Sequence, residues 1–214
     1  MDKDSPFVYS GAHWSKGDPK EIAIKFIPSK SKVLDVGCGS GSLGLWLRKN
    51  NSCSVDGVDG HPEAVKEASK HLNNAKCVDL NDLNAVKDFV NNKAYDRITF
   101  IDVLEHCHHP KKLLEIFKET LAPEGRIIIS LPNIAHYSAR LRILKGNFDY
   151  DDSGLFDKTH VKFYTRKTSA NLIESAGLKI EKTLNTSPQK GLSKLVSQID
   201  PTLTAIQFIM IAKR

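Results

Sequence analysis

Short apolar runs alternate with stretches whose apolar residues recur every three or four positions, and the alternation repeats through the first two thirds of the chain. Lys32–Val36, Ser54–Val58, Lys76–Val78, Asp96–Ile101 and Arg126–Leu131 are compact runs bounded by turn formers or charge, which predicts five strands. Between them lie four predicted helices. Ser42–Lys49 carries Leu43, Trp46 and Leu47 on one face, and a segment opened by Pro62 carries Val65, Ala68 and Leu72. A third has Leu83, Val86, Phe89 and Val90, and a fourth, opened by Pro110, turns Leu113, Leu114, Phe117 and Leu121 inward. A lead-in helix at Glu21–Ile27 stops before Pro28, and Pro123–Gly125 reads as a turn. A helix at Thr168–Ala176 is capped by Gly177, and strands near 178–184 and 205–212 close the chain. Strand and helix in alternation predict an α/β fold with a doubly wound, mostly parallel sheet. The expectation includes an antiparallel C-terminal strand and a small insertion after the fifth strand. One domain, 1–214, divides into 1–31 (lid and lead-in helix), 32–131 (core), 132–167 (insertion) and 168–214 (C-terminal helix and strands).

Composition adds little, because 214 residues that are 40% hydrophobic and 26% charged describe an ordinary globular chain. The placement of charge says more. The formal net charge is +6, yet residues 1–138 hold 18 basic and 18 acidic side chains, whereas 139–214 hold 13 basic and 7 acidic. A nucleic-acid coat would spread basic residues over a dedicated face, so the one-ended surplus points instead to a negatively charged small acceptor met by the C-terminal third. No run approaches the roughly 18 apolar residues that span a bilayer. The polar N-terminus lacks a signal-peptide core, and Cys38, Cys53, Cys77 and Cys107 have no paired spacing, so a cytoplasmic setting is expected.

Asp35-Val-Gly37-Cys38-Gly39-Ser-Gly41 joins a strand to a helix, where a doubly wound sheet binds its ligand. Its spacing also fits a dinucleotide fingerprint through Gly39, Gly41 and Gly44. Asp35 argues otherwise, since a carboxylate inside the strand favours a cation over a pyrophosphate. Asp59 ends the second strand, placed to take both hydroxyls of a ribose. Asp79 follows the third strand, within reach of an amino group on adenine. A ligand with ribose, adenine and a positive centre but no phosphate is S-adenosylmethionine.

These segments resemble a class I S-adenosylmethionine-dependent methyltransferase, with its Rossmann-like fold. Val33–Gly41 is similar to the family's first motif, Gly57–Asp59 to its second and Val78–Leu80 to its third. Phe100–His106 resembles the motif after the fourth strand in the branch containing ubiquinone-biosynthesis O-methyltransferases and methyltransferases of bacterial polysaccharide clusters. The resemblance implies that Gly37, Cys38, Gly39 and Gly41 face the methionine part of the donor, with Asp35 near its amino group. It places Asp59 on the ribose, with Gly60 and His61 beside it, and Asp79 with the Leu80 backbone on the adenine. Ile101 and Asp102 would close the site near the sulfonium, and S-adenosylhomocysteine would be the product.

An activated methyl needs chiefly a positioned acceptor and, for a hydroxyl, a base. His106, just after the fourth strand, is the first choice. His136, Tyr137 and His160, in a Leu-Pro-Asn…His-Tyr…Asp-x-Thr-His segment similar to sugar-modifying methyltransferases, are further pocket residues. The branch binds a divalent cation through Glu-x-x-Glu-His, answered here by Asp102-x-x-Glu105-His106, which makes a magnesium-type site conceivable. No metal is assigned, and zinc on Cys107 with its neighbouring histidines is disfavoured because adjacent residues cannot converge on a tetrahedral centre. In the insertion, Ala139–Lys145 reads as a helix with Leu141 and Leu144 inward and Arg140, Arg142 and Lys145 outward. Tyr9, His13 and Trp14 could form a lid. The expected function is O-methylation of a small hydroxylated or carboxylated acceptor such as a sugar or glycan precursor. The alternatives are metal-assisted methylation of a quinone or phenol precursor and a donor-binding module without transfer.

Overall fold

The computed structural model describes residues 14–186 and 200–214. Seven strands form one sheet in the order β3-β2-β1-β4-β5-β7-β6. The first five are β1 (Lys32–Val36), β2 (Ser54–Asp59), β3 (Asn74–Cys77), β4 (Tyr95–Ile101) and β5 (Leu121–Pro132). They pair in parallel. β7 (Gln207–Lys213) inserts antiparallel between β5 and β6 (Lys179–Thr186). Helices α1 (Pro19–Ala23), α2 (Ser42–Asn51) and α3 (Pro62–Ala68) precede β3, and α4 (Leu83–Val90) and α5 (Pro110–Lys118) flank β4. The insertion carries α6 (Tyr137–Leu144), and α7 (Arg166–Ser175) leads into β6.

β1 and β4 are central, covered on both faces, and so read as continuous apolar runs rather than alternating ones. One core lies between the sheet and α4, α5 and α7, centred on Phe100, Phe117, Ile98 and Leu114. The other joins the opposite face to Leu43, Leu47, Ala68 and Ile27. Phe117 and Phe100 meet edge to face at 5.3 Å between ring centroids.

Three local expectations change. The lead-in helix is split into α1 and a 3₁₀ turn at Ile24–Phe26, because Ile27 before Pro28 is forced to an extended conformation (φ −110°). Leu121 is buried, but as the first residue of β5, opposite Tyr95. Pro123–Gly125 is an irregularity within that strand, where the register jumps from Tyr95↔Leu121 to Arg97↔Arg126. The facing of α6 departs from expectation at its leucines and at Arg142, while Arg140 and Lys145 are outward as expected. Leu141 is 51% and Leu144 83% exposed, and only Ala139 of the helix is buried. Arg142 donates to Asp151 at 2.5 Å and to the Asp149 carbonyl, and stacks 4.4 Å over Phe156. A guanidinium with those partners turns inward at the expense of the leucines. Trp14 rests on Trp46 of α2 at 6.2 Å, while Tyr9 and His13 lie outside the described residues.

Phe117 is fully buried and shared by helix and sheet, so Phe117→Ala should cost roughly 3–5 kcal/mol of unfolding free energy, read from denaturant titration.

Candidate functional site

The parallel strands end together at one edge of the sheet, and the motif residues collect there. Gly37 and Cys38 donate their N–H groups to the Val58 carbonyl at 2.7 and 3.1 Å, tying the glycine loop to β2. Gly37 (φ +71°) has no room for a side chain, since a Cβ would stand 2.3 Å from Val103 Cγ2. Gly39 (φ +53°) differs: the position of its Cβ is open space. Both torsions lie in the left-handed region that glycine adopts without strain.

Asp59 joins the loops. Its Oδ2 accepts from Gly39 N–H and its Oδ1 from His61 N–H, each at 2.8 Å. Beyond them lies a cleft of ≈ 400 Å³. It is lined by Gly37, Gly39, Asp59, Gly60, Asp79, Leu80 and Asp102 of the expected donor residues, by His106, and by Asn81, Val103, Cys107 and Thr159. A larger cleft of ≈ 760 Å³ between α4 and α5 holds none of the motif residues, so volume alone does not mark the site.

The other expected donor residues stand behind the cleft. Asp35 is buried and accepts the Thr99 hydroxyl at 2.7 Å. Burial raises its pKa to about 6, opposed by Thr99 and Lys20. Cys38 turns its thiol into the core, where burial pushes its pKa up, leaving its main chain to the loop. Ile101 is a core residue. Gly41 and His61 are the N-caps of α2 and α3.

Asp102 is exposed to the cleft, yet its carboxylate sits deep among protein atoms. Its Oδ1 accepts from Ser130 Oγ at 2.5 Å and Gln207 Nε2 at 2.8 Å, and Ser130 in turn accepts the Asp102 N–H. Burial raises its pKa, and the two hydrogen bonds oppose that. The residue occupies the left-handed region (φ +58°), a strained choice for a non-glycine.

His106 ends a 3₁₀ turn, Leu104–His106, immediately after β4. Its Nδ1 lies 3.2 Å from the Thr159 carbonyl oxygen and 3.1 Å from Thr159 Oγ1. The His160 ring meets it edge-on at 4.8 Å. Glu105 is buried, which pushes its carboxyl well above the usual range, and Asp102 adds to the effect. Glu105, His106 and His160 place one ligand atom each within 4.8 Å of one another. Buried Glu105 Oε2 and His160 Nδ1 have no hydrogen-bond partner among the described residues. One carboxylate with two imidazoles suits a zinc-type ion better than magnesium. That donor set replaces the expected one, because Asp102 turns to Ser130 and Gln207. Cys107 is buried with its thiol on the Val103 carbonyl, and His108 and His109 are exposed.

His136 and Tyr137 do not reach the cleft lining. His136 caps α6, its Nδ1 accepting from Ser138 N–H at 3.3 Å, and Tyr137 is 52% exposed beside it. Sequence reasoning missed Thr99, Ser130 and Gln207, whose roles depend on partners distant in the chain. Asp157 and Thr159 stood in the Asp-x-Thr-His segment without an assigned role, and Asn81 sits two residues past Asp79.

The buried Asp35 gives a pH signature. Below about pH 4 the carboxyl is protonated in folded and unfolded chains alike, and between there and about 6 only the unfolded form ionises. Stability of the wild type should therefore fall as pH rises through that window, by on the order of 2–3 kcal/mol. Asp35→Asn should show a smaller fall, the remainder coming from buried Glu105 and Asp102, as thermal melts across pH would record.

A methyltransferase-domain family profile matches residues 17–183. The ubiquinone biosynthesis O-methyltransferase of Xanthomonas axonopodis pv. citri is 29% identical over 174 residues, 75% of this chain and 67% of that protein. The enzyme of the same name from Actinobacillus pleuropneumoniae serotype 5b is 33% identical over 109 residues, 48% of this chain and 46% of that protein. This chain thus spans between about half and two thirds of these relatives. In structure it resembles a SAM-dependent methyltransferase from Archaeoglobus fulgidus, with a TM-score of 0.65 at 19% identity, covering 91% of this chain and 90% of that one. With the glycine loop, the three acids and the sheet order in place, the chain belongs to the methyltransferase-domain family and has the Rossmann-like fold of its S-adenosylmethionine-dependent class.

Proposed function

We propose that the chain methylates a hydroxyl oxygen of a small acceptor, with His106 as the general base. The observation that carries this reading is that His106 lines the same cleft as Gly37, Gly39, Asp59 and Asp79. The open space over Gly39 and the carboxylates along the cleft suit a cationic nucleoside. Bound there, S-adenosylmethionine supplies a methyl group already activated on a sulfonium. Asp59 keeps lone pairs for the ribose hydroxyls while it holds the loop, and Asp79 with the Leu80 backbone faces the adenine. The protein's remaining work is to orient the acceptor, which is worth about 7–11 kcal/mol, and to take a proton, worth about 10²–10⁴ in rate. The acceptor's proton passes to His106, its oxygen bonds to the methyl carbon, and the broken bond's electron pair stays on sulfur.

A sugar or glycan precursor is the acceptor supported by the Asp-x-Thr-His segment, whereas the relatives' name, ubiquinone biosynthesis O-methyltransferase, supports a quinone precursor. Arg140 and Arg142 bear on its charge. Arg142 is committed to Asp151 and the Asp149 carbonyl, whereas Arg140 is exposed and spends its Nε on the Ala135 carbonyl, which leaves guanidinium donors for an anionic acceptor. No helix among the described residues is long and apolar enough to cross a membrane. Four unpaired cysteines support a cytoplasmic setting. A metal-assisted variant, with His106 as ligand, rests on the Glu105–His106–His160 cluster. Loss of turnover on chelation, regained with zinc, would select it.

Incubation of the protein and isotope-labelled donor with fractionated small-molecule extracts should yield a labelled methyl ether, and fragmentation places it on a sugar or a ring. Donor binding without any product would favour the non-catalytic module. Asp59→Ala should weaken donor binding by about 1.5–3 kcal/mol for each charge-assisted bond lost, measured by calorimetry. His106→Ala should lower kcat by roughly 10²-fold or more with donor affinity unchanged.

A further inference from the structure

His106 has one ring nitrogen already committed, and its partners decide which proton it carries. Nδ1 faces two atoms of Thr159. The carbonyl oxygen, at 3.2 Å, can only accept. The hydroxyl oxygen, at 3.1 Å, has a single proton, and that proton is given to Asp157 Oδ1 at 2.6 Å. Toward His106 the hydroxyl can therefore only accept as well. Asp157 Oδ1 also receives the Thr159 N–H at 2.8 Å, which fixes the turn presenting both oxygens. With two acceptors in front of it, Nδ1 must hold the proton, and the lone pair of the neutral ring falls on Nε2.

The contact is built rather than incidental. Thr159 lies 53 residues from His106 in sequence, so the insertion must dock to make it. Val161 and Lys162 donate their N–H groups to the Glu105 carbonyl at 2.9 and 3.1 Å, holding the segment against the turn that carries His106. The His160 ring, 4.8 Å away, closes the other side.

We propose that Asp157 and Thr159 are positioning residues that lock His106 in its Nδ1–H tautomer, leaving Nε2 as the proton-accepting atom. The role rests on the reading of His106 as the base. An Asp–Thr pair here does what a carboxylate does directly to a histidine in hydrolytic triads: it selects the tautomer and steadies the imidazolium formed after proton transfer.

The test separates the tautomer from the chemistry. In ¹⁵N-labelled full-length protein with S-adenosylhomocysteine added, at about pH 8.5, roughly two units above an ordinary histidine pKa, two-bond ¹H–¹⁵N correlations report the ring state. The His106 signals, assigned by their loss in His106→Asn, should show Nδ1 protonated and Nε2 bare. The opposite tautomer in the wild type would overturn the proposal. Asp157→Ala should shift the ring toward Nε2–H, and an unchanged ring would likewise sink it. Calorimetry with S-adenosylhomocysteine at wild-type affinity certifies that the variant is folded, and Thr159→Val is the second variant if it is not. With the acceptor in hand, Asp157→Ala should lower kcat roughly tenfold to a hundredfold, part of the 10²–10⁴ a base contributes, with KM little changed. Thr159→Ser should retain more turnover than Thr159→Val; equal losses would mark the hydroxyl as structural only. A locked tautomer together with full turnover in His106→Ala would leave the positioning geometry standing and remove the base.

Discussion

Asp59 accepts one backbone N–H from the glycine loop and another from the entry to α3, so a single carboxylate binds two loops that would otherwise only meet at the sheet edge. The rest of the site depends on this bridge. It ties down Gly39 in its left-handed conformation and sets a negative charge where the loop's own N–H groups would favour an anion. Each carboxylate oxygen retains a lone pair, so the group that joins the two loops keeps acceptor capacity toward the cleft.

The opposite wall is built on a longer reach. Asp102 is held in an unfavourable backbone conformation, at a cost of about 1–3 kcal/mol for such residues, by Ser130 on β5 and Gln207 on β7. Gln207 is 105 residues away, and it arrives only because β7 runs antiparallel beside β5. The antiparallel strand is thus part of the site: it brings a side-chain amide to the carboxyl edge of the parallel strands.

The insertion after β5 supplies the third component. It is organised around its own aromatic contacts, with Phe148 against Phe156 and Phe163 at 5.1 and 5.6 Å, and around Arg142 and its acid partners. That local order carries Asp157, Thr159 and His160 to the turn after β4. It also leaves Leu141 and Leu144 facing outward, the reverse of what a simple inward-leucine pattern implies.

Strand–helix alternation, the glycine loop and the acids at strand ends were legible in the sequence because each is a local requirement. A buried parallel strand needs a continuous apolar run, a tight turn needs glycine, and the edge residue follows its strand by a fixed offset. His106 was legible for the same reason. What surrounds these residues was not. Thr99 beneath Asp35, Ser130 and Gln207 on Asp102, and Thr159 behind His106 are ordinary polar residues whose role exists only through a partner 28 to 105 positions away. The merging of a proline turn into β5 belongs to the same class, since pairing with β4 decided it. The outward turn of Leu141 and Leu144 has a nearer cause, because Arg142 pairs with the Asp149 carbonyl and the Asp151 carboxylate only seven and nine positions on. In both, specific hydrogen bonding outweighed local apolar periodicity, which is a weak preference. The sequence by itself determined a doubly wound sheet and which motif residues gather at the edge where its parallel strands end. Only the tertiary structure decided which atoms of those residues are already engaged, and so which remain for chemistry.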